Sequence, residues 1–150
     1  MPRRQSRQSV SPVGRAAKGE ALRRRVLGDA HVDRSLKERD ALSREFTTNI
    51  HEWVWHDIWS RGTLPLKTRS LINIALLSAL NRPRELRIHL RGALNNGCTI
   101  DDIREVLIHT SLYAGVPATL DGMHTVRDAL KEWGLEDMLT RQTPKRRRKS

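Results

Sequence analysis

The stretch SLINIALLSALNRPRELRIHLRGALNNG, residues 70–97, decides the fold. Its first half is apolar on nearly every side, through Leu71, Ile72, Ile74, Ala75, Leu76, Leu77, Ala79 and Leu80. That pattern predicts a helix from about Thr68 to Leu80, buried at the centre of a bundle. Asn81, Arg82 and Pro83 predict a turn. A second helix then follows over about 84–96, stopped at Gly97. Four residues advance about 400° on an ideal helix, so Glu85 and His89 share a face, joined by Gly92 and Asn96. Leu86, Leu90 and Ala93 form the neighbouring apolar face, which puts the pair at the edge of the core. Spacing alone leaves two readings open: an ordinary charge-paired surface, or an acid–base site built on a helix.

The flanks repeat the helical pattern. TIDD, residues 99–102, has the form of a capping box, with Thr99 as N-cap and Asp102 in place of the usual Glu. The helix it opens runs to about Ala114, with Ile103, Val106, Leu107 and Thr110 on its core side. Gly115 and Pro117 separate it from a last long helix over about 117–133, striped by Leu120, Met123, Val126, Leu130 and Trp133. Upstream, a helix over about 19–27 stops at Gly28. Asp33 or Ser35 then caps another over about 35–56, carrying Leu36, Leu42, Phe46, Ile50, Trp53 and Val54. Gly62 to Pro65 break the pattern. No useful period-two run appears, so the expectation is an all-α domain of about six helices.

The formal net charge of +11 invites a nucleic-acid reading, and its distribution argues against one. Residues 1–18 hold five basic side chains and no acid, and residues 140–150 hold six and no acid. These account for the whole excess, so residues 19–139 are formally neutral. The expected organisation is one folded body, 19–139, between two disordered basic tails, 1–18 and 140–150. A neutral body without a basic stripe predicts no specific nucleic-acid partner. The lone cysteine, Cys98, excludes an intramolecular disulfide and a CxxC pair. No apolar run approaches the roughly 20 residues needed to cross a bilayer, and the N-terminus lacks the apolar segment of a secretory signal. No membrane association and a cytoplasmic location are expected.

VLGDAHVDRSL (26–36), WSRGTLPLKTRSLINIALLSALNR (59–82), ELRIHLRGALNNG (85–97) and DDIREVLIHTSLYAGVPA (101–118) together resemble the gamma-carboxymuconolactone decarboxylase family. This is the small helical branch of the alkyl-hydroperoxidase-D-like fold, and the resemblance spans about residues 20–136. The superfamily's redox branch carries C-x-x-C-x-x-x-H. On that register the cysteine positions fall on Arg82 and Glu85, while His89 occupies the histidine position. Thiol peroxidase chemistry is thereby excluded and the histidine retained. Two departures stand out. Arg61, Gly62, Thr63 and Leu64 replace an RPGL segment, and Leu120 stands near a frequent asparagine.

The resemblance implies a small-molecule substrate: a five-membered unsaturated lactone bearing a carboxylate and an acetate arm. The ring carboxylate leaves as carbon dioxide, giving the enol-lactone of 3-oxoadipate in protocatechuate catabolism. No cofactor is implied, because the freed electrons flow through the ring double bond into the lactone carbonyl, so the substrate is its own electron sink. The protein must supply a donor near the lactone oxygen, a proton for the ring carbon, and a cation for the acetate arm. A tight arginine on the departing carboxylate would stabilise the ground state more than the transition state.

On this reading His89 is the general acid and Glu85 orients it. Arg69, near a helix N-terminus, is first choice for the acetate carboxylate, and Arg61 is second. Trp55, Trp59 and Tyr113 are candidates for an apolar wall. His109 with Tyr113, at i,i+4 and preceded by Glu105, makes either a second wall or a structural seam. Arg87 and Arg91, on another face, are read as solvated or at a subunit contact. Asp29, His31 and Asp33 read as a capped interhelical turn rather than a metal site; His51, His56, Asp57 and His124 carry no strong assignment. The family's habit implies a homo-oligomer, a trimer or hexamer; a related lactone-processing enzyme of different substrate and a non-catalytic oligomeric binding protein with basic tails are the alternative readings.

Overall fold

The computed structural model describes residues 12–140; the rest of the two expected tails lies outside the described residues. Among the described residues there are eight α-helices, one π-helix and no strand: α1 Pro12–Leu27, α2 Asp29–Lys37, α3 Arg44–Asn49, the π-helix Ile50–Trp59, α4 Leu66–Ala79, α5 Pro83–Asn95, α6 Ile100–Ala114, α7 Val116–Glu132 and α8 Asp137–Thr140. The all-α expectation holds. The chain forms two compact units, one ending at Thr63 and one beginning at Leu64.

In the first unit α1 starts at Pro12, inside the segment expected to be a tail. It packs against the π-helix, and Gly19 is where the two backbones meet: a Cβ there would lie 1.8 Å from the His51 carbonyl oxygen. Gly28, at φ 89°, separates α1 from α2 in one residue, a conformation that favours glycine. Arg24 then ties the helices together, donating to Glu20 at 2.9 Å and Asp33 at 2.7 Å and pairing with Asp29 at 3.3 Å. Asp29 and Asp33 are therefore partners of an arginine, and Asp33 and Ser35 lie inside α2 rather than capping the next helix.

The single helix expected over 35–56 is broken. Asp40 Oδ1 accepts from the Leu42 and Ser43 backbone N–H groups and the Ser43 hydroxyl, a local turn that competes with helix. These bonds hold the Asp40 carboxyl below its ordinary range, the Ser43 hydroxyl contributing most. The expected core stripe also fails: Leu42 is 91% exposed, Phe46 66% and Trp53 67%. The buried residues are Thr47, His51, Trp55 and Trp59, each four apart. A π-helix closes i→i+5 bonds and has a wider turn, so its buried face departs from the 3.6 period that the expected stripe follows.

His51 is buried in this unit. Arg23 lies 3.1 Å from His51 Nε2 and donates to Ser35 Oγ at 3.0 Å. An arginine can only donate, so Nε2 accepts and the ring is neutral with its proton on Nδ1. Burial first, then the Arg23 charge, push the His51 pKa down.

The second unit packs α4–α7 around Ile74, Leu86, Leu90, Ile103, Leu107, Val126 and Leu130. The helix boundaries over 66–132 fall close to those expected. The capping box is present: Thr99 Oγ1 accepts from Asp102 N–H at 3.1 Å while Asp102 accepts from Thr99 N–H at 2.8 Å. Lys67 adds an ion pair to Asp102 at 2.7 Å. Ser78 donates to the Ala118 carbonyl at 3.1 Å, and Asn96 donates to Ser70 Oγ at 2.9 Å. α4 is not buried all round, as its composition suggested. Ser70, Ile74 and Ser78 face the core, while Ile72, Leu76 and Leu80 are exposed, as are Ile108, Leu112 and Tyr113 of α6 and Val116 and Leu120 of α7.

Two outcomes follow for stability. A Cβ at Gly122 would lie 2.5 Å from Ser78 Oγ and 2.9 Å from Leu107 Cδ2. Gly122→Ala is expected to cost about 1–3 kcal/mol in denaturant unfolding, and Gly19→Ala more, because a backbone carbonyl cannot rotate aside. Separately, the unfolded chain protonates His51 near its ordinary pKa of about 6.5 while the folded chain resists. Stability should therefore fall as pH drops from about 6.5 toward the depressed folded value, and His51→Gln should flatten that part of a melting-temperature profile.

Candidate active site

α5 opens with Pro83 in its first turn, which suits proline because no intrahelical N–H partner is lost there. Glu85, also in the first turn, is exposed and complements the helix N-terminus. His89 is half-buried one turn later. Its Nδ1 lies 3.1 Å from Nδ2 of Asn73, on α4. Four residues before Asn73, and so one turn along the same face, stands the half-buried Arg69. The structure thus joins Asn73 and His89 across the α4–α5 contact of the second unit, with Arg69 one turn from Asn73 on α4.

The opposite flank of α4 carries a groove of about 590 Å³ against α6, lined by Thr68, Ile72, Ala75, Glu105, His109 and Leu112. The His109 ring lies with its centroid 5.4 Å from that of Tyr113, which is 83% exposed. On an ideal helix Arg69 and Asn73 lie roughly 100–140° round from Thr68. The His109–Tyr113 column therefore addresses a different side of α4 from the one His89 addresses.

Trp55, Trp59 and Arg61 belong to the first unit. The two tryptophans are buried with ring centroids 4.8 Å apart, and Arg61 is exposed just after the π-helix. His56 Nδ1 lies 2.9 Å from Asp57, which also pairs with Arg15. Arg87 and Arg91, expected to be solvated or at a subunit contact, both lie over the Trp133 ring, at 5.6 and 3.9 Å from its centroid, and Arg87 pairs with Glu132. An aromatic at the end of α7 one helix away attracts both cations, a placement that spacing along α5 does not show.

Cys98 is buried, donates to the Lys67 carbonyl at 3.7 Å, and has its pKa pushed up to about 11 by burial. It is a core residue rather than a nucleophile. Asn73 is the residue that the sequence analysis missed. The available signal was a lone amide inside the apolar run LINIALL, four residues after Arg69.

The carboxymuconolactone decarboxylase family model matches residues 44–128, more than half of the chain. The chain belongs to the carboxymuconolactone decarboxylase family. A curated 4-carboxymuconolactone decarboxylase from Acinetobacter baylyi is 44% identical over 121 residues, covering 81% of this chain and 90% of that relative. A nitrosuccinic acid decarboxylase, npaB, from Metarhizium robertsii is 33% identical over 114 residues, covering 76% of this chain and 80% of that relative. Membership makes the chain an enzyme of the carboxy-lyase class. Glu85 is exposed, and the chain's own thiol is sequestered. The native protein should leave Cys98 unlabelled by an aromatic disulfide reagent at pH 8, with full labelling on denaturation; rapid native labelling would show that the thiol is open.

Proposed function

We propose that the chain is a cofactor-independent decarboxylase that converts 4-carboxymuconolactone to 3-oxoadipate enol-lactone in protocatechuate catabolism. The observation that carries this reading is 44% identity extending over 90% of a relative named for that activity. The geometry supports it. Arg69 offers a half-buried cation one helical turn from Asn73, which contacts the His89 ring, suited to holding the acetate carboxylate away from the reacting carbon. His89 then offers Nε2 to the lactone, either to hydrogen-bond the oxygen where charge collects or to protonate carbon. Glu85 adds negative charge on the same helix face.

A second reading keeps the chemistry and changes the substrate. The relative named for nitrosuccinic acid motivates it. That compound and the lactone have different skeletons, but each joins a departing carboxylate to a built-in electron acceptor and keeps a second carboxylate for an anchor. The exposed apolar residues of α4, α6 and α7 support a homo-oligomer, a trimer or hexamer, in which a second copy covers them. We place the enzyme in the cytoplasm.

Carbon dioxide release from the lactone, with nitrosuccinate as the competing substrate, tests the assignment directly. Turnover of nitrosuccinate alone would move the reading to the second substrate. His89→Ala should lower kcat by about 10²–10⁴-fold with the fold intact. Arg69→Ala should raise KM by about ten- to a hundredfold, as the loss of one charged hydrogen bond predicts. Normal kcat in the histidine variant would remove His89 from the chemistry.

A further inference from the structure

We propose that Asn73 holds His89 as a neutral ring protonated on Nε2, so that His89 is a hydrogen-bond donor to the substrate oxygen and not the source of the proton delivered to carbon. The catalytic half of this rests on the decarboxylase reading above; the tautomer half does not.

Asn73 Nδ2 lies 3.1 Å from His89 Nδ1. An amide NH₂ has only hydrogens to offer, so Nδ1 must present its lone pair. A neutral imidazole with a bare Nδ1 carries its proton on Nε2. A doubly protonated ring would set N–H against N–H, which the low-dielectric contact between two packed helices penalises. The neighbouring charges act the same way. Arg69 stands one turn from Asn73 on the same face of α4, and a positive charge on His89 would be repelled to the extent that the two cations approach. Glu85 on α5 opposes this, but it is exposed and solvent-screened. Arg87 and Arg91 of α5 are drawn instead to Trp133 at the end of α7. Asn73 also has no reason to be where it is on helix grounds alone, since a mid-helix asparagine is a poor helix former.

The neutral ring fits the electron flow of the reaction. The bond from the ring carbon to the departing carboxylate breaks, and its electron pair moves through the ring double bond onto the lactone carbonyl oxygen as carbon dioxide leaves. His89 Nε2–H donates to that oxygen and keeps its proton. A proton derived from solvent water then adds to the carbon beside the carbonyl as the pair returns. One proton is taken up for each carbon dioxide released. Asn73 is a positioning residue here: it acts through His89. An electrophilic neutral imidazole is an established way to stabilise an enolate-like oxygen.

The test is a long-range ¹H–¹⁵N histidine spectrum of the full-length ¹⁵N-labelled protein at pH 7, with His89 assigned by the signals lost in His89→Gln. The expected pattern is that of the Nε2–H tautomer for His89. Asn73→Asp replaces the donor with an isosteric acceptor, and should move His89 to an Nδ1-protonated form while kcat falls about tenfold or more and KM changes far less. A wild-type His89 that is protonated on Nδ1, or doubly protonated, would overturn the proposal, and needs no variant to fold. So would an Asn73→Asp protein with unchanged tautomer and kcat. Failure of the wild type to release carbon dioxide from the lactone is a separate result. It removes the donor role together with the proposed reaction, while the tautomer spectrum still decides what Asn73 does to the ring.

Discussion

The rotation of α4 about its own axis is the constraint on which the second unit depends. Its buried residues are Ser70, Ile74 and Ser78: one large side chain between two small polar ones, each a turn apart. The serines allow close approach and are also hydrogen-bonded, Ser70 to Asn96 after α5 and Ser78 to the Ala118 carbonyl of α7. Gly122 of α7 lies directly over Ser78, with no room for a Cβ. A helix fixed by tight packing at one end and a side-chain hydrogen bond at each cannot slip by a residue without burying a hydroxyl unpaired, a cost of about 1–3 kcal/mol. With that rotation set, Arg69 and Asn73 fall on the α5 side, and Ile72, Leu76 and Leu80 remain exposed. The Asn73–His89 contact and the exposed apolar face are two consequences of one packing choice.

The same physics explains what the sequence discloses and what it conceals. Over 66–132, each helix carries its own stop: Pro83 at the start of α5, Gly97 after it, Thr99 and Asp102 at the head of α6, Gly115 between α6 and α7. Local chemistry and the 3.6 period agree there, so the boundaries are legible. The first unit breaks that agreement. Its buried ring residues His51, Trp55 and Trp59 follow the wide turn of a π-helix, while Leu42 and Trp53, which satisfy the α-helical period, face solvent. Asp40 ends a helix by a side-chain turn that an apolar-periodicity argument does not weigh. Apolar composition also overstated burial in α4, because a fully apolar helix reads alike whether its outer side meets its own chain or another copy.

The candidate site is legible to a similar depth. His89 and Arg69 emerge from their spacing and from the family resemblance, since each lies in a motif whose register is kept. Asn73 does not, because its importance comes from a partner sixteen residues away on the adjoining helix. Glu85 shows the converse: the i,i+4 spacing that made it the natural partner of His89 is a statement about one helix, and the contact seen on Nδ1 comes from another. Arg87 and Arg91 repeat the lesson, with Trp133 as the partner that single-helix spacing cannot show.

On the proposed reading, the distribution of charge is what a substrate with its own electron sink requires. Binding energy is most useful where it does not resist bond breaking, which favours a cation on the remote carboxylate and an apolar setting for the departing one. Charge then accumulates on an oxygen several bonds from the breaking bond, so the group that stabilises it need not be charged, only aimed and dry. A neutral histidine held by an amide meets that requirement and leaves Arg69 as the nearby cation. An imidazolium would add a second, and would bind the departing carboxylate as readily as the developing oxyanion. Discrimination between those two oxygens is thus a reason for an asparagine, and not a second carboxylate, to stand behind His89.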